Sequence, residues 1–120
     1  MEKQATIRVL IVDDEVVLAK AIQALLEDMG YAIAGHAQNG LQAIEMVQTL
    51  KPDVILMDVV MPGIDGLELA KRIKEDEELR EIFIILVTAK NFEEDRINAI
   101  ETGVDVYIFK PFQMHYLALR

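Results

Sequence analysis

The sequence predicts a single α/β domain in which a five-stranded parallel sheet carries helices on both faces. Three observations predict it. Short apolar runs alternate strictly with segments of helical periodicity, from residue 7 to the end of the 120-residue chain. The connections are short and rich in Gly, Pro, Asn and Asp. The apolar runs at 54–57 and 82–87 are continuous rather than alternating, the pattern of strands buried on both faces.

Residues 7–12 form the first predicted strand, ending at Asp13 and Asp14. A helix over 15–29 follows, with Leu18, Ile22, Leu25 and Met29 on one face, Asp13 or Asp14 able to cap its start, and Gly30 stopping it. Residues 31–37 form a shorter, less hydrophobic strand, and Gln38, Asn39 and Gly40 turn the chain. The second helix spans 41–50 with Ala43, Ile44, Val47 and Leu50 inward, and Lys51-Pro52 closes it because proline disfavours helix in the residue before it.

The third strand, 53–58, runs four apolar residues into Asp58. A third helix over 66–75 turns Leu67, Ala70 and Ile73 inward, and 75–80 reads as a charged, solvated connection. The fourth strand, 82–87, is the most hydrophobic and ends at Thr88. A fourth helix over 92–101 has only Ile97 and Ile100 as apolar positions, so its packing is expected to be the loosest. Residues 104–109 form the fifth strand, ending at Lys110-Pro111, and 112–120 a short last helix with Phe112, Tyr116 and Leu119 on one face. Right-handed crossovers and five strands favour the flavodoxin-like, doubly wound order 2-1-3-4-5.

Composition narrows the function. With no cysteine, disulfides, thiolate metal sites and cysteine nucleophiles are excluded. A net charge of −9 argues against direct nucleic-acid binding and suits cations or a partner with a basic face. The polar first eight residues fit no signal peptide, and the longest apolar run is too short to span a bilayer, so a cytoplasmic protein without a membrane partner is expected.

The predicted topology gathers Asp13, Asp14, Asp58, Thr88 and Lys110 at the carboxyl edge of the sheet, where open parallel sheets bind ligands. Three carboxylates there repel by roughly 3 kcal/mol per pair, at about 5 Å and an effective dielectric near 20. A cation relieves that repulsion. Hard oxygen donors suit Mg²⁺, and no histidine stands at a predicted strand end to suggest zinc. Carboxylates, a divalent cation, a lysine and a hydroxyl around one aspartate describe a phosphoryl site, with Asp58 as the nucleophile that forms an acyl phosphate.

The motifs VDD at 12–14, MDVVMPGIDG at 57–66, TA at 88–89 and YIFKPF at 107–112 together resemble the CheY-like receiver domain of two-component response regulators, over essentially the whole chain. The resemblance implies that Asp58 takes phosphate from a histidine kinase or phosphotransfer protein. It implies Mg²⁺ held by Asp14, Asp58 and the Val60 carbonyl, with Asp13 acting through water. Lys110 is implied to pair with the phosphate, Thr88 to swing toward it, Tyr107 to follow as an aromatic switch, and Pro111 to follow a cis peptide.

Val60 and Lys90 occupy positions that vary within the family and set how long the phosphate lasts. An aliphatic Val60 cannot orient water, so slow self-dephosphorylation is expected, offset if Lys90 reaches the phosphate. Eight residues follow Phe112, about 12 Å of helix, shorter than is usual in the family. A stand-alone receiver acting on a downstream protein, or a piece of a regulator with a further output domain, is therefore expected.

Rival readings fit less well. An aspartyl-nucleophile phosphatase of the haloacid dehalogenase type needs a general acid where Val60 stands. A flavin-binding domain needs a phosphate loop where Asp13, Asp14 and Glu15 would repel the anion. A phosphorylation-independent interaction module of the same fold would retain the acidic set to no purpose. Asp65 reads as a loop-shaping residue, His36 and His115 as incidental, and the acidic residues at 75–81 and 93–95 as solvated helix ends.

Overall fold

The computed structural model describes residues 6–58, 66–88 and 103–109; the side chains of Thr88, Tyr107 and Phe109 are not among the described atoms. Five strands, β1 (Arg8–Val12), β2 (Ala32–Ala37), β3 (Val54–Asp58), β4 (Phe83–Thr88) and β5 (Val106–Phe109), and three helices, α1 (Val16–Asp28), α2 (Gly40–Leu50) and α3 (Gly66–Glu75), occur in the alternation expected. All strand pairs are parallel, in the order β2-β1-β3-β4-β5. The sequence predictions for 92–101 and 112–120 fall outside the described residues.

Each central strand feeds two cores, because alternate side chains leave opposite faces of a sheet. On one face Leu10, Val12, Ile55, Met57, Ile84 and Leu86 pack with Ala43 and Val47 of α2 and Leu69, Ala70 and Ile73 of α3. On the other, Val9, Ile11, Leu56 and Val87 pack with Ala19 and Ile22 of α1. Leu10, Ile55, Ile84 and Leu86 are fully buried, each contributing about 1.5–3 kcal/mol relative to exposure. Burial on both sides is what the continuous apolar runs of β3 and β4 require.

The helix ends have local causes. At the end of α1 the Gly30 N–H donates to the Glu27 carbonyl (3.1 Å) and the Tyr31 N–H to that of Leu26 (3.0 Å). This paired closure needs a left-handed residue, and Gly30 supplies it at φ 98°. Asn39 caps α2 by accepting the Gln42 N–H (2.9 Å), and the Gln42 side chain accepts that of Gln38 (2.8 Å), so the expected turn is also a reciprocal helix start. Lys51, ahead of Pro52, leaves the helix in the left-handed region at φ 45°.

Several expectations need correction. The inward face of α1 is built on Ala19 and Ile22, with Leu18 and Leu26 packed against the core. Met29 is half exposed, because it is the residue at which the helix ends. The 75–80 connection is not wholly solvated, since Leu79 is buried in the core. The fourth strand starts one residue late because the Ile82 N–H is taken by the Leu79 carbonyl in a turn (3.0 Å).

The fifth strand starts at Val106 instead of residue 104. Asp105 there exchanges bonds with Ile84: its N–H donates to the Ile84 carbonyl (3.0 Å) and its Oδ2 accepts the Ile84 N–H (2.8 Å). Asp53 does the same with Arg8, donating at 2.9 Å and accepting at 2.8 Å. A carboxylate just before a strand thus replaces one rung of the parallel ladder at two places on the amino edge of the sheet.

Candidate functional site

The opposite, carboxyl edge is organised by register. Val12 lies beside Met57, so the next residue of each strand, Asp13 and Asp58, emerge side by side. Asp58 in turn lies beside Val87, and Thr88 follows at the end of β4, paired with Phe109 of β5. Carboxylate oxygens of Asp13, Asp14 and Asp58 all lie within 4.8 Å of one another. The structure therefore brings together the three aspartates expected from sequence. It places the backbones of Thr88 and Tyr107 on β4 and β5. Val60, Lys110 and Pro111 lie outside the described residues.

The three carboxylates are not equivalent. Asp13 and Asp58 are 4% and 6% exposed, whereas Asp14 is exposed. A buried carboxylate requires compensation by hydrogen bonds or positive charge. Asp13 receives part of it locally, because its Oδ1 accepts the Glu15 N–H at 2.8 Å. That bond corrects the capping expectation. The N-cap of α1 is Glu15, and Asp13 steadies the peptide entering the helix without capping its first turn. Asp13 cannot move into the cap position because its own N–H still belongs to the sheet, donating to the Ala37 carbonyl at 3.0 Å.

His36 is a second correction. Expected to be incidental, it lies against the site, with Nε2 2.8 Å from the backbone carbonyl oxygen of Asp13. Sequence reasoning also missed the Lys74 ammonium, which donates to the Ile82 carbonyl (2.8 Å), the Arg80 carbonyl (3.1 Å) and Asp105 (3.1 Å). This cluster belongs to the amino edge, remote from the aspartates along the strands. A signal for one member stood in the sequence: Asp105, like Asp53, immediately precedes an apolar run.

Three convergent hard oxygen donors, one of them open to solvent, fit a divalent cation of the Mg²⁺ type, which prefers oxygen ligands and retains several waters.

Comparison with known proteins agrees with this geometry. The family model of the response regulator receiver domain matches residues 9–120. The phosphate regulon transcriptional regulatory protein PhoB of Pseudomonas aeruginosa is 44% identical over 93% of this chain and 48% of its own length. The chemotaxis protein CheY-3 of Vibrio cholerae is 37% identical over 88% of this chain and 81% of its own. A crystal structure of a putative response regulator from Chloroflexus aurantiacus superposes with a TM-score of 0.85 at 31% identity, covering 97% of this chain and 94% of that one. The chain spans about half the length of the first curated relatives it matches. Among the described residues, no helix is long and apolar enough to cross a membrane. With fold, register and acidic edge in agreement, the chain belongs to the response regulator receiver domain family, the phospho-accepting signalling domains of two-component systems.

Proposed function

We propose that Asp58 is the phospho-acceptor of this domain and that Asp13, Asp14, Asp58 and the Val60 carbonyl form its Mg²⁺ site. Receiver domains bind Mg²⁺ at an acidic pocket, and the convergence of Asp13, Asp14 and Asp58 within 4.8 Å is the observation that carries the reading. A carboxylate oxygen of Asp58 attacks the phosphorus of a phosphohistidine in a histidine kinase or phosphotransfer protein. The O–P bond forms as the P–N bond breaks, and the imidazole nitrogen leaves with the electron pair. A bound Mg²⁺ would supply charge neutralisation for the phosphoryl oxygens. Lys110 offers a positive charge and Thr88 a hydroxyl to the phosphate, by resemblance to the family.

The signal is a population shift. Phosphate on Asp58 gains the Thr88 and Lys110 contacts only in one arrangement, and so favours that arrangement. Tyr107 follows Thr88, and the strand 4, helix 4 and strand 5 face presents the result to a downstream effector or output domain in the cytoplasm. The domain catalyses only its own phosphorylation and dephosphorylation. Val60 makes the second of these slow, unless Lys90 reaches the phosphate.

Incubation with acetyl phosphate and Mg²⁺, followed by intact mass measurement, tests the assignment. One added phosphate is expected on the wild-type chain and none on Asp58→Asn. Equal labelling of the variant would overturn Asp58 as the acceptor, and no labelling of the folded wild type would leave the phosphorylation-independent module as the reading.

A further inference from the structure

Three of the contacts that hold Asp13 lie among the described residues. Its N–H donates to the Ala37 carbonyl at 3.0 Å, its Oδ1 accepts the Glu15 N–H at 2.8 Å, and its carbonyl oxygen lies 2.8 Å from His36 Nε2. The first two follow from the strand and the helix entry. The third depends on one side chain. A carbonyl oxygen only accepts, so His36 Nε2 carries the proton and donates. The carbonyl in question belongs to the peptide that joins Asp13 to Asp14. Fixing its direction fixes the rotation between the two residues, and with it the relation of one carboxylate to the other.

The ring reaches that carbonyl because β2 is irregular. Val9 pairs with Ile33 but Leu10 pairs with Gly35, so Ala34 is an extra residue in β2. Regular alternation would leave Ile33 and Ala37 on one face. The extra residue sends them into opposite cores. It sets His36 opposite Ile11, on the α1 side of the sheet, where the chain leaves β1 for the helix. Without that shift the imidazole would leave the other face.

We propose that His36 is a positioning residue for the acidic site: its Nε2–H locks the Asp13–Asp14 peptide so that both carboxylates converge on a cation. The inference rests on the reading of that cluster as a Mg²⁺ site. The required property is a donor at the ring's reach, which makes the role separable from packing. His36→Phe keeps the ring shape and loses the donor; His36→Gln offers an amide donor at similar reach.

The test is Mg²⁺ binding by isothermal titration, with the melting temperature of each metal-free protein as a control, and the ring ¹⁵N–¹H signals of His36 in the wild type. His36→Phe is expected to weaken Mg²⁺ binding by about two- to ten-fold, the worth of one hydrogen bond, and His36→Gln to stay closer to wild type. The wild-type ring is expected to carry its proton on Nε2, and its signals to shift on Mg²⁺ addition. Wild-type binding with His36→Phe unchanged, both variants equally impaired, or a ring lacking the Nε2 proton would overturn the inference while leaving the site reading intact. A wild type that binds no Mg²⁺ would remove the site reading and this inference with it. Should His36→Phe not fold, the ring signals decide.

Discussion

The two edges of this sheet use aspartate in opposite ways. At the amino edge, Asp53 and Asp105 each accept a backbone N–H from the neighbouring strand, and Asp105 also holds the Lys74 ammonium. There the negative charge closes a ladder and ties α3, β4 and β5 together. At the carboxyl edge, Asp13, Asp14 and Asp58 crowd within 4.8 Å. Like charges at that separation oppose one another by about 1 kcal/mol per pair in water, and by about 3 at an effective dielectric near 20. One residue type thus serves stability at one edge. At the other its crowding is expected to lower the stability of the metal-free fold. The two groups of aspartates are told apart by whom they face, a backbone N–H at one edge and one another at the other.

Substitutions sharpen this contrast in a definite order. The largest effect is expected for Asp105→Ala. It leaves the Ile84 N–H without its acceptor and the ammonium of Lys74, only 16% exposed, without its carboxylate. A loss of about 2–3 kcal/mol is expected in urea unfolding. Asp53→Ala removes one acceptor from the Arg8 N–H and should cost about 1–2 kcal/mol. Asp53→Asn, which keeps an acceptor oxygen, should recover most of that. If Asn were as damaging as Ala, charge and not the hydrogen bond would be what matters at Asp53.

Asp14→Asn at the other edge should act with the opposite sign. Relief of crowding should raise the stability of the metal-free protein by up to about 1 kcal/mol. A clear loss in its unfolding curve would contradict the contrast between the edges. The smallest effect is expected for Arg72→Ala, which breaks the Glu68–Arg72 pair on α3. Both side chains are about half exposed, and removal should change stability by less than about 0.5 kcal/mol.

Much of this was legible in the chain. Alternating periodicity is a direct record of which faces are buried, so the strand order and the third helix were readable without coordinates. The clustering of Asp13, Asp14 and Asp58 was readable for a related reason: each follows or ends an apolar run at the same edge of the predicted sheet, so the topology sets them facing one another. Less legible were features that depend on a partner's register. His36 looked incidental because counting by twos along β2 does not show that Ala34 is an extra residue. Asp105 was read as strand because its bond to Ile84 joins residues 21 positions apart, a relation no local window contains. Met29 was placed inward because the helical period does not reveal which turn is the last.

If the carboxyl-edge aspartates are held together for a cation, the folded protein must be stabilised by Mg²⁺. The most direct measurement is the melting temperature of the wild type and of Asp13→Asn, each with and without millimolar Mg²⁺. Binding to the folded state alone must raise it. A rise is expected for the wild type and little or none for Asp13→Asn. A wild type indifferent to Mg²⁺, or a variant that responds as strongly, would contradict the cation reading.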